Sequence, residues 1–311
     1  MGFVFWVGSH GPWGGGKAAR SAKTSLEGSG PGFYRRNKEL MSPEDYAVWK
    51  QDIRKRSREI PLVVDYDPVE VVYEDEDLLA VVKPCGLKIH PAHRFVGGTL
   101  VNRVHGYLGS APFTLHRIDQ STSGIVLMAK RRGPVLSEMS RLFRDKEISK
   151  EYLALVDTPL EDTVIETGKK FLIDAPIARD DNDLFARKIC RDSEERKEAK
   201  TEVWTLQNGR SVSLVCAMPI TGRTHQIRLH LRHAGYPIVG DPAYGPRGPW
   251  QNPDDIESRS QLRLHAWKLN FKHPLTQADV TLTAAPNPDF LRAMKIHGLN
   301  SDALPLKSAD T

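Results

Sequence analysis

An aspartate in a polar turn just before a buried strand is the residue of this chain best placed to do chemistry. Asp119 lies in the run H-R-I-D-Q-S-T-S-G at residues 116–124, which leads directly into the apolar residues 125–129. A positioned carboxylate with basic neighbours is what nucleophilic catalysis requires. An aspartate before a strand is also a common capping residue of an Asx-turn. This segment alone leaves both interpretations open.

A second polar segment favours the catalytic interpretation. Residues 219–230 read P-I-T-G-R-T-H-Q-I-R-L-H, and residues 235–245 read G-Y-P-I-V-G-D-P-A-Y-G. With residues 116–124 they resemble the RluA-type family of RNA pseudouridine synthases, which has the patterns H-R-x-D-x-x-T-S-G, T-G-R-T-H-Q-I-R and G-x-P-I-x-G-D-x-x-Y-G. Ordered motifs spread over a large part of the chain make a specific signal. Further matches follow the family's order at residues 74–87, 150–156 and 264–274.

The resemblance implies an enzyme that isomerises uridine in RNA to pseudouridine. The reaction involves no redox change and no external group, so it implies neither a cofactor nor a metal. The family's catalytic aspartate falls on Asp119, which acts either as a nucleophile on the sugar or by promoting loss of the base. Its arginine partner falls on Arg228, whose charge would keep a buried carboxylate ionised. Tyr152 falls on the family's pocket tyrosine, which stacks on the base and can relay a proton.

Four further residues are predicted to contact the substrate. Arg117 is expected to engage the RNA backbone or to fill the space left by an extruded base, and Arg223 belongs to a candidate basic face. Leu264 matches an apolar position of the family's pocket, although a core leucine explains it equally well. His116 either contacts substrate or, as we favour, hydrogen-bonds the backbone of its turn. Arg228 itself is expected on a strand, because its apolar neighbours alternate with polar residues.

Two features depart from the family's common pattern. Gln120 stands directly after the aspartate, where many members have a basic residue. The small RNA-binding domain that precedes the catalytic domain in some members is not recognised in this sequence. Selection of the target would then depend on the catalytic domain, together with the basic segment at residues 1–60.

Composition and charge are those of an ordinary globular chain of 311 residues, with 40% hydrophobic and 27% charged residues. Residues 1–60 contain 11 of the 44 basic residues and 6 of the 39 acidic ones, which accounts for the net charge of +5. RNA binding by the rest of the chain must therefore come from local clusters of basic residues. The three cysteines have no close spacing, so we expect reduced thiols and no zinc site. No apolar stretch is long enough to span a bilayer.

The hydrophobic pattern predicts an α+β fold with a largely antiparallel sheet. The resemblance implies a mixed sheet with flanking helices and a central catalytic cleft. A capping Ser42 followed by Pro43 begins a predicted helix that ends near Arg58 and buries Tyr46, Trp49 and Ile53. Residues 176–200 are so charged that we expect a solvated excursion. The remaining predicted elements are helices at 99–108 and 134–143, a hairpin at 69–73 and 78–82, and strands at 152–156, 202–206, 212–216 and 280–283.

The predicted organisation has four parts. A disordered Gly/Ser-rich basic tail covers residues 1–40, a helix covers 41–60, the catalytic domain covers 61–300, and a disordered tail covers 301–311. The expected protein is cytoplasmic and monomeric and binds ribosomal or transfer RNA, with no membrane and no nucleotide partner. An organelle location is the alternative, because the first acid in the chain is Glu27 and the segment before it is basic and serine-rich.

Three other functions compete with this one. Residues 11–17 satisfy G-x-x-x-x-G-K, but Ala18 replaces the magnesium-binding Ser or Thr of a nucleotide-binding loop. His225, His230 and His233 lack the spacing of a helical zinc site. A catalytically inactive RNA-binding protein of the same fold is the remaining alternative. Retention of the aspartate, tyrosine and arginine together argues against it, because binding alone requires none of them.

Overall fold

The structure of this chain is a computed structural model that describes residues 39–59, 61–91, 96–157, 167–180, 186–190, 192, 196–245 and 261–304. The chain divides into a smaller unit, Met1–Val63 with Ala92–Val96, and a larger unit, Val64–Pro91 with Gly97–Thr311. Of the tail predicted at residues 1–40, only residues 39 and 40 belong to the described part of the chain. The disordered state predicted for that tail therefore stays a prediction.

The smaller unit contains helix α1, Pro43–Glu59, as predicted. Ser42 caps it, because its hydroxyl accepts the Asp45 backbone N–H at 3.1 Å, and acids in the first turn face the positive end of the helix dipole. Tyr46 and Trp49 are half-buried with stacked rings, their centroids 5.6 Å apart. Ile53, the third residue predicted on that face, lies outside the described side chains.

The larger unit is built on a ten-stranded sheet, counted over the described residues. Its strands are β1 Glu70–Glu74, β2 Leu78–Lys83, β3 Phe113–Thr114, β4 Ser123–Ala129, β5 Ser149–Asp157, β6 Lys170–Asp174, β9 Lys200–Asn208, β10 Val212–Pro219, β11 Leu264–Lys272 and β12 Asp279–Thr283. Along the sheet the order is β1-β2-β4-β11-β5-β10-β9-β6, with β12 on β11 and β3 on β4. Strands β4 and β11 are parallel and every other pair is antiparallel, which confirms the predicted mixed, largely antiparallel sheet.

The prediction of a solvated excursion at residues 176–200 is wrong in part. Two short antiparallel strands form there, β7 at Ile177–Arg179 and β8 at Arg187–Ile189. Ile177 and Ala199 are buried in a small cluster with Leu229 and Tyr244. The apolar residues of this segment are few and widely spaced, so its many charges concealed the contacts that they make.

Helices flank the sheet, and α2 at Leu100–Leu108 and α3 at Pro134–Arg144 lie where the sequence predicted helices. Two apolar cores stabilise the unit. One contains Leu127, Met139 and Phe271, and the other contains Leu155, Leu214 and Phe290. The second core receives α5, Pro288–Ile296. The central strands β4, β5 and β11 are therefore buried along most of their length.

The strand predicted around Arg228 is wrong, because Gln226–His233 forms a helix, α4. Residues 226–231 are all buried, polar and apolar alike. Gln226 and His230 are buried because they hydrogen-bond Thr201 and nearby carbonyls. Over residues 226–231 the alternation of polar and apolar residues therefore reflects buried polar groups that have hydrogen-bond partners, and it does not mark a solvent-exposed face.

The tail predicted at residues 301–311 is also wrong at its start. Ser301–Ala303 forms a 3₁₀ turn, and Leu304 is buried in the same core as Leu153 and Leu155. Packing of Leu304 and the capping of the turn by Asn300 extend the structured chain beyond the predicted boundary. Residues 305–311 lie outside the described part. Among the helices that the structure describes, none has both the length and the apolar character needed to cross a bilayer.

Acid should destabilise the larger unit through His265. Its Nε2–H donates to the Ala284 carbonyl at 3.0 Å, and its Nδ1 accepts from the Ser123 hydroxyl at 2.9 Å. Burial, opposed by the Ala284 carbonyl, lowers the pKa of His265 from 6.5 to about 4. Between these values the unfolded chain binds the proton first, so stability falls as pH falls, by roughly 3 kcal/mol in full. Denaturant unfolding at pH 4–7 measures this loss.

His265→Gln should weaken that dependence, whereas His233→Gln, at an exposed position on α4, should leave it unchanged. Equal pH slopes for the native protein and His265→Gln would contradict the prediction.

Candidate active site

Asp119 lies in a turn that is held in place by hydrogen bonds to the segment after β2. The Thr122 N–H donates to the Asp119 carbonyl at 3.1 Å, which closes the turn. Gln120 and Gly86 exchange two hydrogen bonds of 2.9 Å, one between the backbones and one from the Gln120 amide to the Gly86 carbonyl. The residue that departs from the family's pattern therefore joins the turn to its neighbouring loop.

Lys83 anchors the same turn from inside the protein. Its ammonium is completely buried and donates to the carbonyls of Pro84 and Leu87 at 2.8 Å and of Gln120 at 2.9 Å. Burial lowers its pKa to about 8, with the nearby Cys85 and Asp119 opposing that shift. Three acceptors satisfy all three ammonium protons, so a lysine at a strand end here holds the backbone around Asp119 in place.

The polar turn ends in Gly124 because the space and the backbone conformation at this position exclude a side chain. Strands β4 and β11 come so close that a Cβ at this position would lie 2.2 Å from the Ala266 carbonyl oxygen. Its φ of 111° also belongs to a region that side-chain-bearing residues avoid. The close parallel pairing places the start of β11, and with it Leu264, beside the Asp119 turn.

Arg228 lies between two carboxylates. Its Nε and Nη2 donate to Asp241 Oδ2 and Oδ1, both at 2.7 Å, while Nη1 is 3.4 Å from Asp119 Oδ2. The Asp241 side chain is fully buried, whereas that of Asp119 is 21% exposed. Asp241 also accepts the backbone N–H groups of Ala243 and Tyr244. The guanidinium is therefore held firmly by Asp241 and presents its remaining edge to Asp119.

The charge of Arg228 is stabilised despite burial. Desolvation lowers its pKa, but hydrogen bonds and charge from Asp241, assisted by Asp119, outweigh that effect and raise the pKa overall. The guanidinium also lies over the ring of Tyr244, 5.0 Å from the centroid. A permanent positive charge therefore lies against Asp119 in a site largely withdrawn from water.

His225 lies on the other side of Asp119. It precedes α4 in the left-handed conformation, with φ of 58°. Its Nε2 is 3.9 Å from Asp119 Oδ2, and its Nδ1 is 2.9 Å from the Tyr244 hydroxyl. Burial lowers the pKa of His225, with the charge of Asp119 opposing the shift and that of Arg228 adding to it. The imidazole is thus a neutral group beside the carboxylate.

Tyr152 and Leu264 form an apolar wall of the site. Tyr152 lies on β5 and Leu264 begins β11, two adjacent strands, and both side chains are buried. Burial and the charge of Asp119 raise the pKa of Tyr152, so its hydroxyl keeps its proton at any working pH. Lys150, two residues earlier on the same strand face, lines the cleft as well.

A cleft of about 150 Å³ brings together all seven residues predicted for the site. His116 lies at its edge with Nε2 accepting the Leu127 N–H at 2.9 Å and its ring stacked on Phe143. Burial lowers the pKa of His116 to about 3, so it is a neutral structural group of the turn. Arg117 and Arg223 are exposed at the rim, Arg223 with its Nε donating to the Glu198 carbonyl.

Sequence reasoning missed three residues of this arrangement. Asp241, Tyr244 and His225 belong to the motifs that carry the resemblance, but no role was assigned to them. Their contacts with Arg228 and Asp119 explain why the motifs have these residue types at these positions. The aspartate and the tyrosine of the family's G-D-x-x-Y pattern were the sequence signal from which Asp241 and Tyr244 could have been predicted.

Comparison with known proteins identifies the class to which this fold and cleft belong. A sequence model described as RNA pseudouridylate synthase matches residues 77–233. A solved structure, human RNA pseudouridylate synthase domain containing 1, superposes with a TM-score of 0.58 at 26% identity, covering 72% of this chain and 85% of that one. The protein is therefore an RNA pseudouridine synthase, an isomerase that acts on uridines in RNA.

Relatives define the family more closely. The chain is 34% identical over 231 residues to the dual-specificity RNA pseudouridine synthase RluA of Haemophilus ducreyi, covering 72% of this chain and 98% of that one. It is also 34% identical over 241 residues to the ribosomal large subunit pseudouridine synthase D of Zymomonas mobilis, covering 74% and 73%. The chain belongs to the RluA-type pseudouridine synthases.

Proposed function

We propose that Asp119 is the catalytic carboxylate of this pseudouridine synthase and that Arg228 and Tyr152 act with it. The observation that carries the proposal is the placement of Asp119, partly exposed in the cleft, 3.4 Å from the buried guanidinium of Arg228. The guanidinium attracts the carboxylate and helps to orient it in the cleft. Arg228 cannot neutralise Asp119 completely, because Asp241 takes two of its hydrogen bonds.

The chemistry requires one carboxylate and no other reactant. The bond from the sugar C1′ to N1 of uracil breaks, the base turns, and C1′ is joined to C5. The proton leaves C5, and N1 gains one. Asp119 is placed either to attack C1′, forming an ester that breaks when C5 bonds to C1′, or to remove a sugar proton as the base departs and to return it when the new bond forms. Both routes need the carboxylate ionised and directed into the cleft.

Tyr152 supports the base and moves a proton. Its ring forms a flat apolar wall, and base stacking on an aromatic side chain is a common means of holding an unpaired nucleotide. Its hydroxyl keeps its proton in the free enzyme, so it is placed to exchange one with the base at the end of the reaction. Leu264 completes the wall at the start of β11.

Tyr152→Phe should keep the stacking surface and lose the proton relay. We expect kcat to fall by about 10²- to 10⁴-fold, with RNA affinity nearly unchanged. Single-turnover conversion and RNA binding, measured at one salt concentration, test this. Tyr107→Phe is the control, because Tyr107 is exposed and its hydroxyl donates to Glu74. A native kcat for Tyr152→Phe would remove the hydroxyl from the mechanism.

The substrate we propose is ribosomal RNA, with transfer RNA as the second candidate. One relative is named for the ribosomal large subunit, and another is named a dual-specificity RNA pseudouridine synthase. The cleft has room for one extruded base, and extrusion costs about a few kcal/mol. Arg117, exposed at the rim, is placed to contact the backbone or to occupy the vacated stack.

Mapping pseudouridine in cellular RNA with and without this protein tests the proposal. We expect one or a few uridines to lose modification in its absence and to regain it with the native protein but not with Asp119→Asn. Restoration by Asp119→Asn would show that the aspartate is not the catalytic group. RNA binding without any change in modification would favour the alternative of an inactive RNA-binding protein.

We also propose that the protein acts as a monomer in the cytoplasm. The three cysteines are free thiols, as expected of a reducing compartment. Measurement of the molar mass in solution and imaging of the tagged full-length chain test these two points. An organelle location would instead support the alternative that the tail at residues 1–40 is a transit peptide.

A further inference from the structure

We infer that His225 is a positioning residue that directs an Nε2–H at Asp119, and that Tyr244 fixes the tautomer required for this. The inference deepens the proposed function and rests on it, because it concerns the same carboxylate. It assigns roles to two residues that the reaction chemistry alone does not call for.

The backbone of His225 is the first observation. A φ of 58° is rare for a residue with a side chain, and only Lys146 and Gln277 share positive φ among the described non-glycine residues. Such conformations persist where the surroundings hold them, and they concentrate at functional sites. Here the left-handed turn directs the imidazole between the Tyr244 hydroxyl and Asp119.

The hydrogen bonds of the Tyr244 hydroxyl determine the tautomer of His225. Its hydroxyl oxygen accepts the Arg187 backbone N–H at 2.8 Å, so the hydroxyl hydrogen is free to point elsewhere. His225 Nδ1 lies 2.9 Å away and is its nearby partner. A hydroxyl that donates to Nδ1 requires that nitrogen to be an acceptor, and a neutral imidazole then carries its hydrogen on Nε2.

The Nε2–H so defined faces the catalytic carboxylate. Its distance of 3.9 Å from Asp119 Oδ2 is too long for a hydrogen bond in the free protein. Hydrogen bonds in active sites are often long without substrate and shorten when it binds. Because Asp241 takes two of the guanidinium contacts, Arg228 offers Asp119 a single N–H at 3.4 Å, and His225 supplies a second donor from another direction.

Charged and titratable groups around the ring are consistent with a neutral imidazole. Burial is the largest influence on the pKa of His225 and opposes protonation. Asp119 and Asp241 favour protonation, while Arg228 and Arg187 oppose it. Tyr244 itself keeps its proton, since burial raises its pKa. Below neutral pH the ring therefore stays uncharged longer than an exposed histidine would.

The tautomer can be measured directly by ¹⁵N NMR of the full-length protein labelled at histidine. His225→Gln identifies the resonances of His225 by their disappearance. We expect Nε2 to be protonated and Nδ1 to be bare near neutral pH. In Tyr244→Phe, which keeps the ring over Arg228 but lacks the hydroxyl, we expect a mixture of tautomers. A protonated Nδ1 in the native protein, or an unchanged tautomer in Tyr244→Phe, would overturn the inference.

A matched pair of variants tests the donor. His225→Gln and His225→Met place straight side chains of similar size in the same left-handed conformation, but only Gln has an N–H near its tip. We expect kcat of the Met variant to fall by about 10- to 100-fold, the range for one hydrogen bond to a charged group, with unchanged KM for RNA. The Gln variant should recover most of that loss.

Equal kcat values for the Gln and Met variants would refute the positioning role of His225 while leaving Asp119 as the proposed catalytic group. Full activity of Asp119→Asn would refute the proposed function itself. The two failures are therefore separated by different variants in the same assay.

Discussion

Asp119→Asn should abolish pseudouridine formation, by at least about 10⁴-fold, while RNA binding stays nearly native. Asparagine has almost the shape of aspartate, so the turn and the cleft are retained. It has no negative charge, and it can neither attack the sugar nor accept a proton as a carboxylate does. The loss should therefore fall on the chemical step, measured as product formed per enzyme in a single turnover.

Stability should hardly change in this variant. Asp119 is 3.4 Å from Arg228 and partly exposed, and the ion pair of a partly solvated carboxylate contributes about 1 kcal/mol or less. Asp279→Asn, on the exposed start of β12, is the matched control for an aspartate-to-asparagine change outside the cleft. A fully active Asp119→Asn with native fold and binding would refute the catalytic assignment.

Arg228→Met should lose both stability and activity. It leaves the carboxylate of Asp241 buried without a counter-charge, and breaking a buried pair in this way costs about 3–5 kcal/mol. It also removes the positive charge beside Asp119, so turnover should be very low even where the protein is folded. Denaturant unfolding and single-turnover conversion measure the two losses separately.

The double variant Arg228→Met, Asp241→Asn separates these two roles. The amide oxygen introduced at position 241 can still accept the N–H groups of Ala243 and Tyr244, and the new side chain carries no charge to bury. We expect the double variant to recover much of the lost stability but none of the lost turnover. Recovery of turnover would mean that Arg228 is needed only to hold Asp241. Native stability in Arg228→Met would mean that the buried pair does not stabilise the fold.

Regular hydrophobic periodicity predicted the elements that pack one face on a core. The helices at 99–108 and 134–143 and the strands at 152–156 and 212–216 were found close to their predicted bounds. Each of these elements places apolar residues at the spacing of its own structure. Burial of one face against a core therefore produces the hydrophobic spacing from which these elements were predicted.

The helix α4 was missed because its burial does not follow polarity. Gln226, Arg228 and His230 are buried as completely as their apolar neighbours. Each is satisfied by residues distant in sequence, such as Thr201 and Asp241. A local pattern cannot reveal partners that only the folded chain brings together, and the alternation imitated a strand.

Prediction of the site from the sequence is limited in the same way, because some of its contacts form only in the folded chain. The resemblance to the family predicted that Asp119, Tyr152 and Arg228 share one site, and the cleft contains all three. The bidentate contact between Arg228 and Asp241 and the contact of Lys83 with the Gln120 carbonyl depend on tertiary geometry. No role was predicted for Lys83, although it is among the most buried side chains.

Release of the uracil C5 hydrogen tests the central claim most directly. Every completed isomerisation replaces the bond from C5 to hydrogen with a bond to the sugar, so RNA labelled with tritium at C5 releases the label as product forms. RNA from cells that lack the protein, incubated with a saturating amount of enzyme, provides a single turnover. We expect the native protein to release tritium and Asp119→Asn, binding the same RNA, to release none above background. Release by Asp119→Asn at the native rate would contradict the account.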